Sequence, residues 1–141
     1  MAVIEGFEFP DDLFFTKDHV WAKAEGNEIT IGLTSFGQDV AGDILYVEAP
    51  AEGRDVARDE AFMSMEPGKW VGRVKSPVSG RVIEANSELE WESDLVNSDP
   101  YGAGWLTKLD AKDSDELKSL YRSDSPELAA LIAEEKEKYK K

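Results

Sequence analysis

A lysine between two strand-like runs is the residue best suited to chemistry. Lys69 ends the segment Glu66-Pro67-Gly68-Lys69, which separates the runs 61–66 and 70–75. Proline and glycine occupy the two central positions that a type II turn requires, so Lys69 is predicted at the exit of a turn. A lysine there projects its amine from a rigid support into solvent. It is either an ordinary surface lysine or the attachment point of a covalent group.

Two glycines flank this lysine at defined spacings. Gly53 lies 16 residues before Lys69, and Gly80 lies 11 residues after it. Glycine tolerates backbone bends at which a Cβ atom would be costly, so both glycines predict bends beside a quasi-symmetric pair of hairpins. A competing lysine, Lys75, lies inside a strand-like run and lacks both the turn and this spacing. The turn and the glycine spacing therefore distinguish Lys69 from Lys75.

The remaining residues are poor in catalytic groups. The chain contains no cysteine and a single histidine, His19. The lack of cysteine excludes disulfides, thiolate metal sites and cysteine nucleophiles. An isolated histidine close to Trp21 is expected to be a hydrogen-bonded structural group rather than a base. We therefore expect no enzyme, and we expect any chemistry to reside in an attached group or in a partner.

The charge of the chain limits its partners. Its 141 residues include 16 basic and 30 acidic side chains, a formal net charge of −14. Such a polyanion is repelled by nucleic acid and by anionic membranes, so neither is expected as a partner. With no long apolar run and no leader-like start, the chain is expected to be cytoplasmic. The acidic stretch 88–94 is interpreted as a solvated loop rather than a metal site.

The pattern of elements predicts a mainly β domain. Strands are expected over 13–16, 20–23, 28–33, 43–48, 61–66, 70–75, 80–85 and 104–109. One helical turn is expected over 34–40. Two C-terminal helices are expected after N-caps at Asp113, in a capping box with Glu116, and at Ser125. We predict one domain over 1–141, with a core at about 13–110 and helices at about 113–138. The tryptophans are expected to be mostly packing residues.

The surroundings of Lys69 resemble a lipoyl domain, in which lipoate is amide-linked to a lysine at a hairpin tip. Val56, Phe62 and Glu66 fall where lipoyl domains carry two apolar residues and an acid. Further motifs follow in order: His19-Val20-Trp21, Gly42-Asp43-Ile44-Leu45-Tyr46-Val47, Pro77-Val78-Ser79-Gly80, Leu95-Val96-Asn97, Pro100-Tyr101-Gly102 and Gly104-Trp105-Leu106. In this order and spacing they are similar to the glycine cleavage system H protein family over roughly residues 13–130.

The resemblance implies a lipoyl carrier with a barrel-sandwich hybrid fold of two interlocked β-layers. Lipoate on Lys69 would be a swinging arm that shuttles intermediates between enzymes. Glu66, Gly68 and Trp70 are implied as flanking recognition residues, with Glu66 read by a lipoylating enzyme (a lipoate ligase or transferase). The other implied partners are the glycine cleavage enzymes: the decarboxylase, the aminomethyltransferase and dihydrolipoyl dehydrogenase.

The tip of the hairpin departs from the usual pattern of that family. H proteins usually carry Glu-Ser-Val-Lys-Ala, whereas this chain has Glu-Pro-Gly-Lys-Trp over 66–70. With the early segment Gly6-Phe7-Glu8-Phe9-Pro10-Asp11, this tip is more similar to the lipoate-binding proteins of sulfur oxidation, which are associated with a heterodisulfide-reductase-like complex. The resemblance thus favours sulfur oxidation, with glycine cleavage and its aminomethyl group as the alternative. A biotin carrier, whose lysine normally has methionine neighbours, and an unmodified structural module are more distant alternatives.

Overall fold

The computed structural model describes residues 2–66 and 73–139. Over these residues the chain is mainly β, with its longest helix at the C-terminal end, as predicted. The strands are β1 (Ala2–Ile4), β2 (Phe7–Phe9), β3 (Phe14–Phe15), β4 (Val20–Glu25), β5 (Glu28–Leu33), β6 (Tyr46–Glu48), β7 (Asp55–Val56), β8 (Ala61–Glu66), β9 (Arg73–Lys75), β10 (Gly80–Ala85) and β11 (Thr107–Ala111). The helices are α1 (Ser35–Ala41), α2 (Leu95–Ser98) and α3 (Pro126–Lys138), and two 3₁₀ segments cover Ser87–Glu90 and Ser114–Ser119.

Two larger antiparallel sheets share one hydrophobic core. The six-stranded sheet has the order β3-β4-β5-β11-β10-β7, and the three-stranded sheet has the order β6-β8-β9. Ile31 and Leu109 of the first sheet and Val47 and Met65 of the second belong to the same cluster of buried side chains. Alternate residues of a strand face opposite sides, so each sheet buries one face and leaves polar side chains on the other. Within the described ranges, no helix is long and apolar enough to cross a membrane.

Most predicted strands are present, and two of them are displaced for identifiable reasons. The strands at 28–33, 61–66 and 80–85 are confirmed as β5, β8 and β10. The strand predicted over 43–48 begins only at Tyr46, because the Ile44 N–H donates to Asn97 Oδ1 at 2.9 Å instead of joining a ladder. The strand predicted from 104 begins at Thr107, because the Gly104 N–H donates to the Asp99 carbonyl oxygen in the preceding turn. Of the strand predicted over 70–75, residues 73–75 form β9, and residues 70–72 lie outside the described residues.

The helix caps were predicted more accurately than the capping box. Thr34 caps α1, where its Oγ1 accepts from the Gly37 N–H at 3.0 Å. Asp113 also accepts from a backbone N–H, but it caps a short 3₁₀ segment rather than an α-helix. The capping box with Glu116 is wrong, because Glu116 Oε1 accepts from the Ser79 N–H at 2.8 Å and so ties this segment to the turn before β10. The helix predicted after Ser125 is α3, which begins at Pro126, but the Ser125 side chain makes no capping hydrogen bond and its Oγ instead accepts from the Arg122 N–H at 2.8 Å.

An N-terminal hairpin was not predicted. Strands β1 and β2 pair around Glu5 and Gly6, both at positive φ (52° and 88°). Phe9 is fully buried, and the Phe7 ring packs edge-on against Phe36 of α1 with centroids 5.1 Å apart. Strands of three residues are too short for alternation to reveal them. The glycine at a two-residue turn was the available signal.

The two glycines that flank Lys69 are needed for different reasons. Gly53 has a φ of +83°, and its N–H donates to the Val82 carbonyl oxygen at 2.8 Å, so the predicted bend is confirmed there. The predicted bend at Gly80 is wrong, since Gly80 is the first residue of β10 and is paired with both β11 and β7. A Cβ atom at Gly80 would lie 2.4 Å from the Asp110 carbonyl oxygen. Close approach of two backbones, rather than a special φ, excludes a side chain at this position.

Candidate functional site

The hairpin formed by β8 and β9 leads to the predicted modification site. The two strands are antiparallel, with Ser64 opposite Arg73 and Met63 opposite Val74. The six residues between Glu66 and Arg73 connect them. The predicted turn and the site residues Gly68, Lys69 and Trp70 all fall in this connection, outside the described residues. What the structure describes is therefore the stem on which Lys69 is carried.

The stem is anchored on the hydrophobic core. Phe62, Met63, Met65 and Val74 are all buried. The Thr107 hydroxyl of β11 donates to Met63 Sδ at 3.3 Å, which joins the stem to the six-stranded sheet. Strand β8 also pairs on both sides, with β6 and with β9. A segment with this much burial and pairing opens rarely, so the stem is a fixed support.

Glu66 lies at the end of the stem with its side chain exposed. It faces Tyr46 across the β6–β8 ladder, and its carbonyl oxygen accepts from the Leu45 N–H at 2.9 Å. Side chains of directly opposite residues point to the same face of a sheet, so Tyr46 and Glu66 are neighbours on the outer face. The backbone of Glu66 is thus held in the sheet while its side chain is available to a partner.

The outer face of the three-stranded sheet changes charge from one edge to the other. Strand β6 contributes Glu48, whose Oε2 accepts from the Ser64 hydroxyl of β8 at 3.4 Å. Strand β9 contributes the exposed cations Arg73 and Lys75. Lys75 lies opposite Ala61 and forms an ion pair with Asp18 at 3.9 Å. The sheet therefore has an acidic edge at β6 and a basic edge at β9.

Asn97 fixes the segment that leads into β6, a role that the sequence did not reveal. Its Oδ1 accepts from the Ile44 N–H at 2.9 Å. Its Nδ2 donates to the Gly42 carbonyl oxygen at 2.8 Å and to Gln38 Oε1 at 3.0 Å. One amide side chain thereby joins α1, α2 and the start of the three-stranded sheet. In the sequence, the only indication of this role was that Asn97 belongs to the motif Leu95-Val96-Asn97.

The structural role expected for His19 is confirmed. Its buried ring lies with Nε2 2.7 Å from Glu135 Oε1 of α3 and packs against Phe36. Nearby, the Trp21 Nε1–H donates to the Pro100 carbonyl oxygen at 2.9 Å. These motif residues hold helices and turns to the six-stranded sheet.

Tyr101 joins three segments from a partly buried position. Its hydroxyl donates to the Glu8 carbonyl oxygen at 2.6 Å and accepts from the Ser35 N–H at 2.9 Å. Burial of the ring raises the pKa of the Tyr101 hydroxyl above its ordinary value of 10. The neutral phenol is therefore the form that the fold favours.

The expectation for the tryptophans is wrong at one position. Trp21 is buried and Trp105 is half-buried, but Trp91 exposes 84% of its surface. Trp91 follows the 3₁₀ segment Ser87–Glu90, whose inward-facing residue is Leu89. Among the described residues, no cluster of three or more acidic or histidine side chains is arranged to hold a metal ion.

Comparison with known proteins agrees with this arrangement. A family model described as "Glycine cleavage H-protein" matches residues 13–134. The glycine cleavage system H protein of Brevibacillus brevis is 42% identical over 90% of this chain and 99% of its own length. The same-named protein of Thermus thermophilus is 42% identical over 80% of this chain and 88% of its own.

A solved structure supports the fold. The crystal structure of a glycine cleavage system H protein from Mycobacterium marinum superposes with a TM-score of 0.68 at 29% identity, covering 73% of this chain and 86% of that one. The predicted barrel-sandwich hybrid fold is confirmed by this likeness. The N-terminal hairpin formed by β1 and β2 precedes the part of the chain that the family model matches.

These relatives also bear on function. Glycine cleavage H proteins are carriers, with lipoate covalently attached to a lysine. The names of the relatives support the glycine cleavage alternative and give no support to sulfur oxidation as the leading interpretation. With both larger sheets and all of its buried core except Phe9 inside the matched residues, this chain belongs to the glycine cleavage H-protein family.

Proposed function

We propose that this protein is the lipoyl carrier of a glycine cleavage system, with lipoate amide-linked to Lys69. The observation that carries the proposal is the β8–β9 stem, which is anchored in the core and ends at an exposed acid, Glu66. Lys69 is the only lysine in the connection between the two strands. Lys75, by contrast, lies within β9 and is paired to Asp18.

Loading this lysine is an acyl transfer. The neutral Lys69 amine attacks the carbonyl carbon of an activated lipoyl group supplied by a lipoylating enzyme. A C–N bond forms, the bond from that carbon to its leaving group breaks, and the amine releases one proton to solvent. The described stem suits this chemistry, because its exposed end leaves room for an enzyme while its backbone stays paired.

The lipoyl group supplies a dithiolane whose disulfide accepts and returns two electrons. The chain itself contributes by positioning the arm. The anchored stem gives the arm a fixed origin, so that the end of the arm is held at high effective concentration near the active site of a docked enzyme. The proposed partners are the decarboxylase, the aminomethyltransferase and dihydrolipoyl dehydrogenase, with a lipoate ligase or transferase loading Lys69.

One observation favours a second candidate, sulfur oxidation with a heterodisulfide-reductase-like complex. The tip sequence over 66–70 differs from that usual in H proteins, and the residues beside the arm meet every partner. Bulky Trp70 would exclude a partner shaped for a small neighbour. Glycine cleavage is nevertheless favoured, because relatives of that name match 80–90% of the chain.

Two measurements on the full chain test the proposal. Treatment with lipoate, ATP and a purified lipoate ligase is expected to raise the intact mass by one lipoyl group, whereas a biotin carrier or an unmodified module would show no such increment. The lipoylated protein is then assayed for glycine-dependent CO₂ exchange with glycine decarboxylase, beside an ordinary H protein. Exchange within about tenfold of that control supports glycine cleavage. Full lipoylation without glycine-dependent CO₂ exchange would contradict glycine cleavage and support the sulfur-oxidation candidate.

A further inference from the structure

Three exposed apolar side chains belong to two neighbouring segments beside the stem. Leu45 exposes 77% of its surface, Tyr46 exposes 55% and Trp91 exposes 84%. We call these three residues the flank patch. Large side chains exposed singly are common, but a group of them next to a functional segment is typical of an interaction site.

Hydrogen bonds place the flank patch at the end of the stem. The Leu45 N–H donates to the Glu66 carbonyl oxygen, and Tyr46 lies opposite Glu66 in the ladder. The Ser93 hydroxyl donates to the Ile44 carbonyl oxygen at 2.9 Å, which holds the segment of Trp91 beside Leu45. Lys69 is three residues beyond Glu66. An enzyme that receives the Lys69 amine therefore approaches this surface.

The surroundings of the flank patch are acidic. The two segments that form it, 24–53 and 82–107, contain no lysine or arginine. They contribute exposed carboxylates from Asp43, Glu48, Glu88, Glu90, Glu92 and Asp94. The nearest cations along the sheet are on the opposite edge, at β9. The charge of a partner surface that fits here is therefore positive.

A cavity of about 230 Å³ lies between β6 and the Ser87–Glu90 segment, which are parts of the two segments that carry the flank patch. Its lining includes buried Val47, Leu89 and Leu106 and exposed Glu52 and Glu90. A lining of apolar side chains and carboxylates suits the methylene stem and cationic head of a lysine or arginine side chain. The cavity thus points to the same kind of partner as the charge does.

We propose that the flank patch is the docking surface for the lipoylating enzyme, whose matching surface is an apolar cleft bordered by lysine and arginine. This proposal rests on the lipoylation of Lys69. An unmodified lysine side chain is shorter than a loaded arm, so the enzyme that loads Lys69 comes closer to the stem than any enzyme that receives the finished arm. Central aromatic and aliphatic anchors then supply affinity, and the acidic border supplies orientation and speed of association.

The test measures loading kinetics and binding with the full chain and a purified lipoate ligase. In the double variant Leu45→Ser/Trp91→Ser, kcat/KM for lipoylation, followed by intact mass, is expected to fall at least about tenfold, mainly through KM. The dissociation constant of the unmodified protein for the ligase, measured by calorimetry, is expected to rise in parallel. The matched control is Val3→Ser/Ile83→Ser, which removes two exposed apolar side chains elsewhere and is expected to stay within about twofold of wild type.

A charge variant provides a second measurement that does not depend on the apolar residues. Raising the salt from about 0.05 M to about 0.3 M is expected to lower kcat/KM of wild type, because screening weakens the attraction between the two surfaces. The triple variant Glu88→Gln/Glu90→Gln/Glu92→Gln is expected to lose most of this salt dependence. Equal kinetics for the two double variants, or an unchanged salt dependence in the triple variant, would overturn the docking surface while leaving the carrier function intact. Failure of wild type itself to gain a lipoyl group would overturn the proposed function instead.

Discussion

The six-stranded sheet encloses its motif residues, whereas the three-stranded sheet buries Val47 and Phe62 but exposes Tyr46 and Glu66. In the six-stranded sheet these residues are enclosed: Gly80 has no room for a Cβ atom beside Asp110, and Trp21 is hydrogen-bonded inside the fold. In the three-stranded sheet Glu66 keeps its backbone in the ladder and exposes its side chain. Enclosed residues specify the fold, whereas exposed residues near the tip are free to specify a partner. For this reason the enclosed residues identify the family, whereas the residues near the tip are the ones that would distinguish one pathway from the other.

The largest loss of stability is expected where the six-stranded sheet is tightest. Gly80→Val places a branched side chain against the Asp110 carbonyl oxygen and is expected to lower the free energy of unfolding by about 3 kcal/mol. Arg81→Val, at the next and exposed position of β10, is the control and is expected to change it by less than about 0.5 kcal/mol. Guanidinium denaturation measures both. Superimposed unfolding curves for wild type and Gly80→Val would show that the six-stranded sheet has room for a side chain at Gly80.

A smaller loss is expected at the junction between the helices and the three-stranded sheet. Asn97→Ala removes the partner of the Ile44 N–H and of the Gly42 carbonyl oxygen, and should cost about 2 kcal/mol. Ser98→Ala, its exposed neighbour in α2, is the control. Thermal melts compare the two variants. Equal melting temperatures for the variants would contradict the bridging role of Asn97.

The hydrogen bond between Glu135 of α3 and buried His19 should contribute less to stability than Asn97 does. Glu135→Ala removes the hydrogen-bond partner of buried His19 and is expected to cost about 1 kcal/mol. Glu134→Ala changes an exposed acid on the same helix and is expected to be close to neutral. Urea denaturation distinguishes the two variants. Identical midpoints would show that the His19–Glu135 contact does not stabilise the fold.

The dependence of stability on pH should reveal the raised pKa of the Tyr101 hydroxyl. Burial raises its pKa above the ordinary value of 10, so the folded protein disfavours the ionised phenol. The stabilisation is complete below pH 10 and is lost as the pH rises above 10, by about 1 kcal/mol near about pH 11. Tyr101→Phe, although less stable at neutral pH, should lose this part of the alkaline fall. Parallel stability profiles of the two proteins from about pH 9 to about pH 11 would contradict the assignment.

The sequence predicted regular strands better than contacts between distant segments or the exposure of single side chains. Regular strands such as β5 and β10 were predictable because alternation and turn residues record local geometry. The close approach at Gly80, the hydrogen bonds of Asn97 and the Glu116–Ser79 contact join residues distant in the chain, so no local pattern encodes them. Trp91 was misjudged because apolar character alone does not tell whether a side chain is buried or available to a partner. The site residues proposed at 66–70 follow from motif spacing, and that spacing does not encode the partner.

The most direct measurement compares intact masses after treatment with lipoate and a lipoate ligase. Wild type and Lys75→Arg are expected to gain one lipoyl group, and Lys69→Arg is expected to gain none. Both variants should melt at the same temperature as wild type, because arginine keeps the positive charge and nearly the length of lysine. A lipoyl increment in Lys69→Arg, or its loss in Lys75→Arg, would contradict the claim that the anchored stem of the three-stranded sheet carries the arm at Lys69.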